Sequence, residues 1–128
     1  MTSFSDGMSD RFLMFVVNLI KLERKICKTY AGRHIYGQLF RSGTSAGANY
    51  EEARAGESTA DFIHKMQIVL KELRESHFWI RLIYAAKLVP PEDETLILIL
   101  RESKELANIT AKSVVTAKSK MVKNLGKT

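Results

Sequence analysis

The chain has 128 residues, of which 45% are hydrophobic and 27% are charged. These values are typical of one globular domain and exclude wholesale disorder. Only seven glycines and two prolines occur, too few for the many turns of a β-sandwich or β-barrel, so the composition favours helices. The single cysteine, Cys27, excludes a disulfide framework and a cysteine-built zinc site within one chain, and it favours a reducing cytoplasm.

The net charge of +6 attracts polyanions, of which nucleic acid is the first to consider. A basic tail without a specific partner is the alternative. The first ten residues carry Asp6 and Asp10 and no basic residue, so we expect no secretory signal. The apolar stretch 12–22 is shorter than a membrane span and is interrupted by Asn18 and Lys21. We therefore expect a soluble, cytoplasmic protein with no membrane partner.

The first predicted helix covers about residues 8–30. Apolar side chains recur in it at spacings of three and four, which places them on one face. This face contains Phe12, Phe15, Val16, Leu19, Leu22, Ile26 and Tyr30. Ala31 and Gly32 follow and predict the end of the helix, because a glycine commonly follows the last helical turn.

The second predicted helix covers about residues 35–55 and has an unusual centre of small residues, 42–48. Each interior glycine costs a helix about 1 kcal/mol relative to alanine, so tertiary packing has to stabilise this segment. Gly43 and Gly47 share a face and predict the close approach of a neighbouring helix. A phosphate-binding loop is excluded, because no Gly-Lys-Ser/Thr follows and no strand precedes the segment.

The third and fourth predicted helices cover about residues 59–88 and 91–122. Ser58 with Asp61 has the form of an N-terminal cap for the third helix. Pro91 and the three acidic residues after it predict the first turn of the fourth. Four helices with short connections predict an all-α, antiparallel up-down-up-down four-helix bundle, with residues 1–128 as a single domain.

The third and fourth helices carry more apolar surface than one bundle core can bury. Residues 96–100 are apolar all the way round the helix. Apolar side chains on the outer faces of a bundle usually mark an interface, so we predict a homo-oligomer. The predicted interface residues are Phe78, Leu82, Ile97, Leu98 and Leu100. The alternative is that neighbouring loops cover these residues.

Residues with the spacing needed for catalysis or metal binding are few. The three histidines, His34, His64 and His77, lack metal-ligand spacing. Lys25 and Lys28 are expected to lower the pKa of Cys27, but no oriented base can be named for it. We therefore predict no catalytic residue, no metal site and no cofactor.

Two groups of basic residues are candidates for nucleic-acid binding. Lys21, Arg24, Lys25 and Lys28 follow helical spacing and form a stripe opposite the apolar face of the first helix. A second group, at the end of the fourth helix, consists of Lys112, Lys118, Lys120 and Lys123. Each group alone could be a solvated face, but an oligomer repeats both by symmetry and concentrates their charge. Because no aromatic residue is interleaved with these stripes, stacking on single-stranded bases is not expected.

The segment 41–53, RSGTSAGANYEEA, resembles the second-helix signature of the small four-helix bundle proteins encoded in intervening sequences of bacterial 23S ribosomal RNA genes. That signature reads Arg-Ser/Ala-x-Thr-Ser-x-x-Ala-Asn-x-x-Glu-Ala. Three segments of the third helix agree with the same family: 61–66, 70–76 and 79–83. The first and fourth helices are similar to the family only in length and pattern.

The resemblance implies a left-handed antiparallel bundle that assembles as a ring-like homopentamer. It also implies kinship with the accessory variability protein of diversity-generating retroelements, a basic pentamer that engages a reverse transcriptase and RNA. The recurrent polar residues of the family match Arg41, Asn49, Glu72 and Glu75 here, which implies a structural network between the second and third helices.

Two functions remain open from the sequence and the resemblance together. The first is a non-enzymatic oligomeric bundle that binds nucleic acid, RNA before DNA, through its repeated basic faces. The second is a protein-interaction scaffold, such as a partner of a reverse transcriptase, whose basic charge is incidental.

Overall fold

The computed structural model describes the backbone of residues 4–126 and the side chains of residues 7–126. It contains four α-helices: α1 (Phe4–Ile26), α2 (Tyr30–Arg54), α3 (Thr59–Ala85) and α4 (Glu94–Leu125). The described residues between the helices form short connections, and none of them is in a strand. The prediction of an all-α four-helix bundle is confirmed.

The order in which residues pair shows that neighbouring helices are antiparallel. On α1 and α2, the ring of Phe12 stacks on that of Tyr50 at 4.7 Å, while the Tyr36 hydroxyl donates to the Leu19 carbonyl. The same inverse order relates α2 to α3 and α4 to α1, in the pairs Ser42–Ser76, Glu52–Lys65, Arg11–Glu102 and Lys25–Asp93. Since α4 returns against α1, the four helices close into a bundle.

The core is built from the apolar faces that the helical spacing predicts. Leu19, Leu39, Leu73 and Leu106, one from each helix, are fully buried. Burying such a side chain stabilises the fold by about 1.5–3 kcal/mol relative to leaving it in water. No helix among the described residues combines the length and the apolarity that crossing a bilayer requires.

The first break in the chain lies earlier than the sequence predicts. α1 ends at Ile26, and Thr29 caps α2 by accepting a hydrogen bond from the Gly32 backbone N–H at 3.0 Å. Gly32 is buried inside α2, where a Cβ atom would lie 1.9 Å from the Ile26 carbonyl oxygen. Gly32 therefore allows two helix ends to approach, and Tyr30 starts α2 on the surface instead of joining the core face of α1.

The connection between α3 and α4 is longer than predicted. α3 ends at Ala85, and Lys87 adopts a left-handed backbone with φ of 56°. α4 starts at Glu94 because the Asp93 side chain accepts from the Leu96 backbone N–H at 3.0 Å. Pro91 accordingly lies in the connection and not in the first turn of α4.

The two central glycines of α2 have different surroundings. A Cβ atom on Gly43 would lie 2.5 Å from Leu19 Cδ1, so Gly43 permits the close contact between α1 and α2. The nearest atom to a Cβ on Gly47 is Phe12 Cβ at 3.9 Å, which is an ordinary contact distance. The predicted close approach thus depends on Gly43 alone.

Candidate nucleic-acid interface

Three of the four basic residues predicted on α1 are exposed without an ionic partner. Lys21, Arg24 and Lys28 make no ion pair within the described residues. Lys25 is different, because its Nζ lies 2.6 Å from Asp93 Oδ2. Because α1 ends at Ile26, Lys28 lies in the turn after the helix and not on the predicted stripe. Lys21 and Arg24 on α1 and Lys28 in that turn therefore offer three cations to a ligand, and Lys25 joins α1 to the connection before α4.

Asp93 has two roles in that connection. Its carboxylate accepts from the Leu96 N–H as the N-terminal cap of α4, and it accepts from Lys25 Nζ. The hydrogen bond from Lys25 holds the pKa of Asp93 below its usual range. Lys25 is thus a structural residue of this end of the bundle.

We expect Asp93→Ala to lower the free energy of unfolding by about 1–2 kcal/mol, because it removes a helix cap. Asp93→Asn keeps a capping oxygen, so it should lower the free energy of unfolding by less than Asp93→Ala does. Because the pKa of Asp93 is lower in the folded chain than in the unfolded chain, the carboxylate stabilises the fold above its unfolded pKa. This contribution disappears as the pH falls through the folded pKa. Urea unfolding across the acid range should show the wild-type and Asp93→Asn stabilities converging below about pH 4. A constant difference between them would contradict this role of the carboxylate.

Arg33 was not predicted from the sequence and extends this group of unpaired basic residues. Arg33 is exposed near the start of α2, beyond the turn that holds Lys28. Segment 21–33 contains five basic residues and one acidic residue, a net charge of +4, and no Asp or Glu occurs between Glu23 and Glu51. This absence of acidic residues is the feature of the sequence from which Arg33 could have been assigned to the basic group. We call Lys21, Arg24, Lys28 and Arg33 the α1–α2 basic end.

The four predicted lysines of α4 do not form one stripe. Lys112 and Lys120 border a groove of about 830 Å³ between α4 and the α2–α3 connection, with Phe62 and Ile109 among its apolar residues. Lys118 is six residues after Lys112, about 240° round the helix, so it projects elsewhere. The fourth residue of the group is Lys123, and all four are exposed.

The two basic groups lie at opposite ends of the bundle. Lys25 contacts Asp93, just before α4 begins, whereas Lys118 lies 25 residues beyond Asp93 in the sequence. At a rise of 1.5 Å per residue, this corresponds to about 37 Å along α4. One chain therefore presents two separate basic surfaces and not a continuous one.

A polar contact between α2 and α3 involves three of the four residues that the resemblance assigned to it. Arg41 pairs with Glu72 at 3.2 Å and also with Glu75. The hydrogen bond that Arg41 donates to Glu75 raises the pKa of Arg41. Asn49 instead donates to the Ser45 carbonyl within α2 at 2.9 Å and makes no described hydrogen bond to α3. Because the Arg41 side chain is half exposed, this network contributes little to stability.

Below that ion pair, Ser42 and Ser76 are fully buried, and their hydroxyl oxygens are 2.7 Å apart. Each hydroxyl also has an acceptor in its own helix: Ser42 Oγ lies 3.1 Å from the Leu39 carbonyl oxygen, and Ser76 Oγ lies 2.9 Å from the Glu72 carbonyl oxygen. The Ser42–Ser76 contact therefore adds a satisfied polar contact to the packing of α2 on α3.

The predicted interface residues fall on two surfaces. Phe78, which is 52% exposed, borders a groove between α3 and α4 with Leu82 and Leu100, and Leu100 also packs against the core. Ile97 and Leu98 are exposed on a separate groove of α4. The structure adds an apolar surface that sequence analysis missed, on the outer face of α1: Leu13, Met14 and Ile20.

Contacts between helices explain the polar residues that were considered for catalysis. His77 Nδ1 lies 2.8 Å from Ser103 Oγ, but Ser103 is fully buried and out of reach of a substrate. Burial lowers the pKa of His77. Burial also raises the pKa of Cys27, contrary to the lowering expected from its lysine neighbours. Within the described residues, no group of three His, Cys, Asp or Glu could hold a metal ion.

Comparison with known proteins places this geometry in a family. The family model described as 23S rRNA-intervening sequence protein matches residues 9–112. The chain belongs to this family. The match includes the α1–α2 basic end and the Arg41 network, whereas Lys118, Lys120 and Lys123 lie outside it.

A solved structure supports the same assignment to the intervening-sequence family. It is a protein with unknown function from the S23 ribosomal protein family of Bacteroides thetaiotaomicron VPI-5482. It is 31% identical to this chain, with a TM-score of 0.74, over 84% of this chain and 97% of the other. No curated protein matches the chain.

Proposed function

We propose that this intervening-sequence family protein binds RNA through the α1–α2 basic end, as a self-associating bundle that performs no catalysis. The observation that carries the proposal is the concentration of basic residues in a part of the chain with few acids: segment 21–33 has a net charge of +4, and no Asp or Glu occurs between Glu23 and Glu51. Among the described residues, ion pairs engage Lys25 in this segment and, elsewhere in the bundle, Arg11, Arg41, Arg54 and Lys65. The four cations of the α1–α2 basic end are exposed and have no such pair within the described residues.

Unpaired cations suit a phosphate backbone. Each phosphate that a lysine or arginine neutralises releases condensed counterions, which supplies affinity that does not depend on sequence. Acids between Glu23 and Glu51 would weaken that attraction, and none occurs there. Cys27 as the single cysteine suits a reducing cytoplasm, where RNA is available.

Self-association would repeat the basic end and strengthen binding. Phe78 and Leu98 on α3 and α4, and Leu13 on α1, supply exposed apolar surface for contacts between copies. Several basic ends on one particle raise the apparent affinity for one RNA molecule without any new contact. Light scattering at micromolar concentration should give a multiple of the 14.5 kDa chain mass. A stable particle of a single chain would contradict the self-association.

The salt dependence of binding tests the RNA function. We expect a structured RNA to bind at low salt and the logarithm of its affinity to fall linearly with the logarithm of the salt concentration. Fluorescence anisotropy across a salt series measures this. Absence of binding at low salt, or a flat dependence, would contradict the proposal.

A protein-interaction scaffold is the second candidate, and the exposed apolar residues Leu13, Met14 and Ile20 of α1 favour it. Exposed apolar side chains fit a partner protein, of which a reverse transcriptase is the one that the resemblance suggests. A pull-down with neutralised Lys21, Arg24, Lys28 and Arg33 distinguishes the candidates. A scaffold keeps its protein partner after this change, whereas an RNA-binding protein loses its RNA.

A further inference from the structure

Tyr30 is an aromatic residue that the core does not use. It is 78% exposed, although it begins α2 beside the buried end of α1. The other two tyrosines of α2 are packed inside. Tyr36 donates to the Leu19 carbonyl, and burial raises the pKa of Tyr36 to about 12. Tyr50 stacks on Phe12. Packing therefore explains Tyr36 and Tyr50 but leaves the ring of Tyr30 in solvent.

His34 lies one turn after Tyr30 on the same side of α2 and is also exposed. The centroids of the two rings are 6.4 Å apart, and their planes differ by 18°. The two nearly parallel rings are stacked, and Tyr30 still presents most of its ring to solvent; we call this pair of rings the aromatic platform. An exposed aromatic ring can stack on a planar group, and every nucleobase has such a face.

The aromatic platform lies within the α1–α2 basic end. Lys28 precedes Tyr30 by two residues and Arg33 follows it by three, and both are exposed without an ion pair in the described part of the chain. No stacking was expected from the sequence, because no aromatic residue is interleaved with the basic stripes and the helical spacing assigned Tyr30 to the apolar face of the first helix. The earlier end of α1 instead brings this ring next to the free cations.

Exposed rings beside unpaired cations favour a single-stranded nucleic acid over a duplex. In a duplex the bases are stacked on one another and do not offer their faces to a side chain. An unpaired segment offers both a base face and flanking phosphates. An acidic peptide would match the charge but would leave the platform without a planar partner.

We propose that the aromatic platform stacks on a base of single-stranded RNA while Lys28 and Arg33 hold the neighbouring phosphates. The inference rests on the proposed RNA function and adds to it a preference for unpaired segments. It makes Tyr30 and His34 binding residues of the same surface.

Binding of a labelled single-stranded RNA of about 12 nucleotides tests the platform, with a perfect duplex of the same sequence as the comparison. We expect Tyr30→Ala to weaken binding of the single strand by about 5- to 100-fold and to leave duplex binding unchanged. Tyr30→Phe keeps the ring and should bind as the wild type does. Since the change removes no charge, the salt dependence of binding should stay the same.

A second probe replaces the bases by abasic nucleotides and keeps every phosphate. The wild type should lose about as much affinity on this probe as Tyr30→Ala loses on the normal strand, and Tyr30→Ala should lose little more. Equal binding of the normal strand by wild type and Tyr30→Ala would overturn the inference. So would an equal loss on the duplex, or competition by polyglutamate that is as effective as RNA.

The outcomes separate this inference from the function on which it rests. Salt-dependent RNA binding that Tyr30→Ala leaves unchanged contradicts only the stacking. Failure of the wild type to bind either RNA at low salt contradicts the proposed function, and the stacking with it.

Discussion

Replacing Lys21, Arg24, Lys28 and Arg33 together by glutamine should weaken RNA binding by about 100- to 1000-fold at 0.1 M salt. Each phosphate contact on a single strand contributes about 0.7 to the slope of the salt dependence. Four such contacts therefore account for nearly three powers of ten at 0.1 M salt. All four side chains are exposed and unpaired in the described structure, so the substitutions remove no contact that holds the bundle together.

A matched variant shows whether RNA affinity depends on where the four positive charges are removed or only on the change in net charge. Lys71, Arg74, Arg101 and Lys104 are also exposed and make no ion pair within the described residues. Lys71 and Arg74 lie in the middle of α3, and Arg101 and Lys104 lie in the second and third turns of α4. Changing all four to glutamine alters the net charge equally without changing a residue of the α1–α2 basic end. This variant should keep RNA affinity within about threefold of the wild type. Equal losses in the two variants would contradict binding at the α1–α2 basic end.

Gly32→Ala should destabilise the fold by about 3 kcal/mol or more, the largest effect that we expect of one methyl group in this chain. The new Cβ atom would lie 1.9 Å from the Ile26 carbonyl oxygen and 3.2 Å from Thr29 Oγ1. The carbonyl belongs to the backbone and cannot rotate away. The end of α1 or the cap of α2 must therefore move, and the α1–α2 basic end would move with it.

Gly37→Ala is the matched control for that substitution, because nothing lies within 4 Å of a Cβ atom at Gly37 in the same helix. Alanine is the better helix former by about 1 kcal/mol, so this change should be neutral or stabilising. Urea unfolding of both variants measures the difference. Equal free energies of unfolding for the two variants would show that the turn between α1 and α2 can accommodate a side chain at Gly32, which would contradict the account.

The sequence predicted the four helices because their apolar residues recur at helical spacing, but it misplaced the first break. Tyr30 follows Ile26 by four residues, so periodicity alone continues the core face of α1 across the turn. Glycine permits both a helix end and a close approach of two backbones. The Ile26 carbonyl, 1.9 Å from a Cβ atom placed on Gly32, shows that Gly32 permits a close approach of two backbones and does not end a helix.

The candidate site was predicted in part for a similar reason. Helical spacing identified the stripe on α1, because that signal is local in the chain. The ion pair that occupies Lys25 depends on Asp93, 68 residues away, and spacing within one helix carries no information about it. Arg33 and Tyr30 were missed because the predicted first helix extended to Tyr30 and the predicted second helix began at residue 35, whereas both residues lie on α2, after the turn at 27–29. The separation of the α1 and α4 groups follows from the antiparallel order of the helices.

Comparing the salt dependence of RNA binding in the wild type and the four-glutamine variant most directly tests whether the α1–α2 basic end holds phosphates. We predict that the slope of log affinity against log salt becomes shallower by about 3 in this variant, and that the matched variant keeps the wild-type slope. An unchanged slope in the four-glutamine variant would contradict RNA binding at this end of the bundle.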